Sequence, residues 1–133
     1  MKTLIVEDEF TARLTLQRLL SRYGECHIAV SGKEAVDAFR IALETGSVYD
    51  LICMDILLPE MDGQEAVRHI RSLEQDRGIL PPDGVKIIMT TAVDDIKEVM
   101  RSFQDLCDAY LVKPVRLGDL LKHVRDFGLV AHV

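Results

Sequence analysis

The chain has no tryptophan, and aromatic residues make up only 5% of its 133 positions. With so few large rings, a core must be built mainly from aliphatic side chains. Proline occurs four times and cysteine three times. Cys26, Cys53 and Cys107 are odd in number, far apart, and without Cys-x-x-Cys or Cys/His spacing, which argues against a disulfide framework or a zinc site. No apolar run approaches the length of a membrane span, and Leu4-Ile5-Val6 is too short for a signal-peptide core, so a soluble, cytoplasmic protein without membrane partners is expected. Positive charge is also scarce: 16 basic against 22 acidic residues give a formal net charge of -6, the wrong sign for direct attraction to nucleic acid.

What the chain does have is an ordinary globular balance, 48% hydrophobic and 29% charged, at a length that suits one domain. Short apolar runs alternate with segments of helical period five times. The runs are Thr3 to Val6, His27 to Val30, Leu51 to Met54, Val85 to Met89 and Ala109 to Val112, with the second, weakest run expected at a sheet edge. Between them, helix faces are read at Leu16, Leu19, Leu20 and Tyr23; at Ala35, Phe39, Ala42 and Leu43; at Val67 and Ile70; at Ile96, Val99, Met100 and Phe103; and at Leu117, Leu120, Leu121 and Val124. Ser31 with Glu34 has the form of a capping box, Gly24 is read as the stop of the first helix, and Gly63 falls where the third begins. Residues 78–84, rich in glycine and proline, read as one long loop. The repeat predicts an α/β fold: a doubly wound, five-stranded parallel sheet with helices on both faces. After Val124 too few residues remain for a second periodic unit.

Ligands of such sheets bind beyond the carboxyl ends of the strands. Those ends carry Glu7-Asp8, Asp55, Thr90-Thr91 and Lys113-Pro114. Each residue alone has an ordinary structural explanation, as a cap, a turn or a solvated end. Their coincidence on one edge points to chemistry. Three gathered carboxylates repel and call for a cation, and an all-oxygen set suits Mg²⁺, which commonly acts together with phosphate. Lys113 is suited to a phosphoryl oxygen and the Thr91 hydroxyl to another. Asp55, alone at the third strand, is the candidate nucleophile toward phosphorus, and the Glu7-Asp8 pair is left to hold metal.

The segments Leu4-Ile-Val-Glu-Asp-Glu9, Asp50 to Gly63, Met89-Thr-Thr-Ala92 and Asp108-Ala-Tyr-Leu-Val-Lys-Pro114 resemble, in order and spacing, those of the bacterial response-regulator receiver domain, over roughly Lys2 to Phe127. The resemblance is to a single-domain, chemotaxis-regulator-like receiver at residues 1–127 with a short C-terminal tail at 128–133. It implies a flavodoxin-like strand order 2-1-3-4-5, Asp55 as phosphoacceptor, and Glu7 and Asp8 as the acidic pair positioning Mg²⁺. It further implies Leu57 as donor of a backbone carbonyl to the metal, Thr91, Ala92 and Lys113 as phosphate-binding residues, Thr91 and Tyr110 as switch residues, and a cis Lys113–Pro114 bond. The implied partners are a sensor histidine kinase or histidine phosphotransfer protein, and a downstream protein reached through the fourth helix, fifth strand and fifth helix. The chain itself is expected to be a monomer or weak dimer that catalyses only its own phosphorylation and slow dephosphorylation.

Three departures from the family pattern matter. The acidic pair is Glu-Asp rather than Asp-Asp; Leu57 and Val93 are apolar where a polar residue would orient a hydrolytic water; and Val115-Arg116-Leu117 lacks the dimerisation pattern of many DNA-binding receivers. The second implies slow self-hydrolysis. Alternative readings are a receiver cut from a longer regulator, a Mg²⁺-dependent aspartyl-phosphate phosphatase, which typically has an acid where Leu57 stands, and an unphosphorylated interaction module, which typically has lost one of the residues retained here.

Overall fold

A computed structural model describes residues 1–92 and 106–130 of the chain. Val93 and the helix expected at Ile96 to Phe103 lie outside the described residues. The elements follow in the order β1 (Thr3–Val6), α1 (Phe10–Leu20), β2 (Cys26–Ala29), α2 (Gly32–Thr45), β3 (Leu51–Asp55), α3 (Gly63–Asp76), a 3₁₀ turn (Pro81–Asp83), β4 (Lys86–Thr91), β5 (Ala109–Val112) and a C-terminal helix (Leu117–Asp126). The five strands form one parallel sheet in the order β2-β1-β3-β4-β5. No helix among the described residues is long and apolar enough to cross a membrane.

Alternation along each strand divides the core into two layers. Leu4, Val6, Ile52, Met54, Ile87 and Met89 pack on one face with Phe39 of α2 and Val67 and Ile70 of α3. Ile5, Cys53, Ile88 and Leu111 pack on the other with Leu16 and Leu20 of α1 and Leu120 and Val124 of the C-terminal helix. Both faces are covered, so central strands read as unbroken apolar runs. The edge strand β2 is only half-buried over Cys26 to Ile28, as its weaker sequence suggests.

Several boundaries differ from the sequence reading. β2 begins and ends one residue earlier because Val6 pairs with Ala29. Val30 then leaves the sheet, and its N–H donates to Glu34 Oε1 at 3.3 Å, while the Glu34 N–H donates to Ser31 Oγ at 3.1 Å. The capping box is thus displaced by one residue on its return bond. β3 and β4 run on to Asp55 and Thr91, since Asp55 pairs with Thr90 and Thr91 with Val112. α1 ends at Leu20 and is capped by Ser21, before Gly24. Gly24 instead turns beneath the N-terminus, where a Cβ would stand 2.7 Å from the Met1 carbonyl carbon. The long loop contains a 3₁₀ turn started by Pro81, whose missing N–H costs nothing at a first helical position.

Candidate functional site

Adjacency of β1, β3, β4 and β5 brings their carboxyl ends together. Glu7 follows β1 directly, Asp55 is the last residue of β3, Thr91 the last of β4, and Lys113 the first residue after β5. Two backbone bonds hold the flanks: Glu7 N–H to Ala29 O at 3.1 Å and Lys113 N–H to Thr91 O at 2.8 Å. Glu7, Asp8 and Asp55 each present a carboxylate oxygen within 4.8 Å of the others. Glu7 and Asp55 are buried, at 1% and 6% exposure, whereas Asp8 is open to solvent. Lys113 Nζ bridges the two buried acids, 2.7 Å from Glu7 Oε1 and 3.1 Å from Asp55 Oδ2.

These contacts set the protonation behaviour. Burial pushes the Glu7 carboxyl above its usual range; a hydrogen bond to Asp55 adds to this, and Lys113 offsets part of it. Burial alone would lower the Lys113 ammonium, but its bonds to Glu7 and Asp55 outweigh that and hold it above its ordinary value. Glu9 faces away in function: its carboxylate caps α1, accepting from Thr11 N–H at 3.2 Å and Ala12 N–H at 2.6 Å, and those bonds lower its pKa.

A cleft of about 230 Å³ is lined by Glu7, Asp8, Asp55, Leu57, Thr91, Ala92 and Lys113, among others. Leu57 donates its N–H to Asp55 Oδ1 at 3.3 Å and leaves its side chain 70% exposed. The buried Thr91 hydroxyl donates to Ala92 O at 3.1 Å. The Lys113–Pro114 peptide is cis. Tyr110 stands apart from this cleft: it is half-buried, packs with the α2–α3 layer and pairs with Met89 in register. A second cavity, about 430 Å³, adjoins the acids between α1 and the segment after β5, where Ala12, Leu16, Pro114 and Val115 give it an apolar wall.

The donor set fits a hard divalent cation. It consists of carboxylate oxygens alone, it is anionic even after Lys113 is counted, and one member, Asp8, faces solvent, which leaves an approach. Little in the sequence signalled that Gly32, at the start of α2, meets Met61 in the loop between β3 and α3. The signal available was a glycine inside the first turn of a helix, where propensity disfavours it.

A family model described as the response regulator receiver domain matches residues 3–125. The transcriptional regulatory protein CusR of Escherichia coli K12 is 34% identical over 94% of this chain and 50% of its own length. The chain spans about half the length, or less, of the curated relatives it matches. The receiver domain of the sensor histidine kinase PA1611 from Pseudomonas aeruginosa, solved with a magnesium ion coordinated in its active-site cleft, is 27% identical with a TM-score of 0.75, covering 96% of this chain and 97% of that one. The receiver domain of Saccharomyces cerevisiae Ssk1, solved with the histidine phosphotransfer protein Ypd1, is a further match: 30% identity, TM-score 0.78, and coverage of 96% of this chain and 88% of that one. The sheet order, the acid cluster at its carboxyl edge and these likenesses agree, and the chain belongs to the response regulator receiver domain family of two-component signalling.

Proposed function

We propose that residues 1–127 form a phosphoacceptor receiver, with 128–133 as a short tail, that takes a phosphoryl group onto Asp55 from a phosphohistidine of a kinase or phosphotransfer protein in the cytoplasm. The observation that carries this reading is the Lys113 ammonium held between Glu7 and Asp55 beside the exposed Asp8. In transfer, an Asp55 oxygen forms the new P–O bond as the donor's N–P bond breaks, and that electron pair returns to the imidazole. Lys113 passes from the Asp55 carboxylate to a phosphoryl oxygen. The Thr91 hydroxyl, which lines the same cleft, turns from Ala92 O to the phosphoryl group, and Tyr110 follows inward. Glu7, Asp8, Asp55 and the Leu57 carbonyl would hold Mg²⁺, which when bound neutralises charge on the transferring group. The signal then leaves through the fourth helix expected from the sequence, β5 and the C-terminal helix toward a protein target. The chain acts as a signalling switch, as a monomer or weak dimer, rather than as an enzyme on other substrates. The apolar wall beside the acids and the exposed Phe10 and Leu57 suit a protein donor.

Intact mass after incubation with acetyl phosphate tests this. Wild type gains one phosphoryl group only with Mg²⁺, and Asp55→Asn gains none; uptake by Asp55→Asn at the wild-type rate would refute the assignment. Leu57 offers no group to orient a water, so Leu57→Asn is expected to shorten the phosphoryl lifetime severalfold, read from the same mass series.

A further inference from the structure

The loop between β3 and α3, residues 56–62, carries Leu57 past the acids, and its ends are tied at a neck. Ile56 N–H donates to Thr90 O at 3.2 Å and Gly63 N–H to Ile56 O at 2.8 Å. The middle turns sharply. Glu60 has φ 64°, a left-handed value that a residue with a side chain seldom adopts, and Met61 N–H then donates to Pro59 O at 2.7 Å. Such a turn persists only where its surroundings impose it. Leu57 supplies no anchor, because its side chain lies in solvent.

The loop is held by Ile56, Leu58 and Met61, which pack into the core, and by close backbone contact at two helix starts. At Gly63 a Cβ would stand 2.9 Å from Ile56 Cα and overlap the Asp55 carbonyl oxygen. At Gly32, the first residue of α2, a Cβ would stand 2.7 Å from the Met61 carbonyl carbon and 2.9 Å from its Cβ, overlapping the Met61 oxygen. These neighbours are backbone atoms and the Met61 Cβ, whose place the backbone fixes, so no side-chain rotation can relieve the contact. α2 is in turn fixed from behind: the buried Ser31 caps it, and Ala35 N–H donates to Ser31 O at 3.1 Å. Helix propensity gives no reason for glycine at position 32, since alanine is favoured over glycine in a helix. The close approach to Met61 does.

We propose that Gly32 is a positioning residue of the phosphoacceptor site: by lacking a Cβ it lets α2 close on Met61 and so sets where the β3–α3 loop, with Leu57, stands beside Asp55. This rests on the phosphoacceptor reading above. Gly32 touches no reacting atom and acts through Met61 and the loop.

The test is calorimetric titration of the full chain with Mg²⁺, paired with thermal unfolding. Gly32→Ala is expected to weaken Mg²⁺ binding about tenfold, the scale on which residues supporting metal ligands act. Its phosphoryl uptake from acetyl phosphate should be slow at low Mg²⁺ and recover at saturating Mg²⁺. Gly46→Ala is the control: Gly46 caps the other end of the same helix at φ 75° with nothing within 4 Å of a Cβ, so that variant should lose stability and keep its Mg²⁺ affinity. Affinity within twofold of wild type in folded Gly32→Ala, or equal weakening in Gly46→Ala, overturns the proposal. Should Gly32→Ala not fold, the wild-type amide spectrum decides: Mg²⁺ must shift the Gly32 and Met61 resonances, and their constancy overturns it. A wild type that neither binds Mg²⁺ nor takes up a phosphoryl group would instead fail the phosphoacceptor reading itself.

Discussion

The two ends of the sheet are built from similar charges and settle them differently. At the amino ends, Arg71 Nη1 lies 2.6 Å from Glu74 Oε1 and Nη2 lies 3.1 Å from Asp108 Oδ2, while Nε donates to Leu106 O at 2.8 Å. Each carboxylate also accepts a short backbone bond, Glu74 from Val85 N–H at 2.7 Å and Asp108 from Ile87 N–H at 2.8 Å. At the carboxyl ends, among the described residues, one ammonium faces three carboxylates, and the backbone bonds to them are long, 3.3 Å from Glu9 N–H to Glu7 and 3.3 Å from Leu57 N–H to Asp55. A planar guanidinium and short backbone bonds saturate the first network. The second has surplus negative charge and poorly filled oxygens, so it retains capacity for a cation. Buried charge alone does not mark a functional site; charge left uncompensated does.

The largest effect is expected from breaking the saturated end. Glu74 is nearly inaccessible, and Glu74→Ala strips the Val85 N–H of its acceptor and Arg71 of a partner, so urea unfolding should show a loss of about 3–5 kcal/mol. Phosphoryl uptake by the folded fraction should be unchanged. A loss below about 1 kcal/mol would place this network with exposed surface pairs and erase the contrast. At the other end the sign reverses. Asp55→Asn removes one of the crowded carboxylates, and without Mg²⁺ it should raise stability by about 1 kcal/mol, because the repulsion relieved exceeds the attraction to Lys113 that is lost. Added Mg²⁺ should close that gap; a destabilised Asp55→Asn in metal-free buffer would show the site to be balanced by Lys113 alone.

This difference between the ends also explains what could be read from the sequence. The carboxyl-edge residues are legible because each follows an apolar run directly: Glu7 after Val6, Asp55 after Met54 and Lys113 after Val112. Period alone therefore carries them to one edge. The opposite network is not legible, since Arg71 and Glu74 sit on an amphipathic helix where charge normally means a solvated face, and Asp108 is 37 residues from Arg71. The strand limits shifted by one or two residues where pairing, rather than hydrophobicity, decides: Thr90 and Thr91 are polar yet buried in the ladder. Tyr110 and the cis peptide came only with the family resemblance, and the contact of Gly32 with Met61 needs coordinates, because nothing in spacing brings a helix start and a distant loop into touch.

The smallest predicted effect concerns acid. Burial raises the Glu7 carboxyl above its reference value of 4.5, so the folded chain holds that proton to higher pH than the unfolded chain does. The sign follows directly. Glu7's contribution to metal-free stability is full below pH 4.5, where both states are protonated, and is lost as pH rises through the raised folded value, because the unfolded carboxyl ionises freely while the buried one resists. Lys113, held above its reference value of 10.5, stays charged throughout and adds no slope there. Metal-free urea unfolding of wild type and Glu7→Gln, run upward from pH 4.5, should therefore show wild type losing stability relative to the variant. Mg²⁺ should flatten or invert that difference, since it favours the ionised carboxylate. A difference that grows in favour of wild type with pH, without Mg²⁺, would mean that Lys113 already outweighs burial, and the carboxyl end would then be as saturated as the amino end.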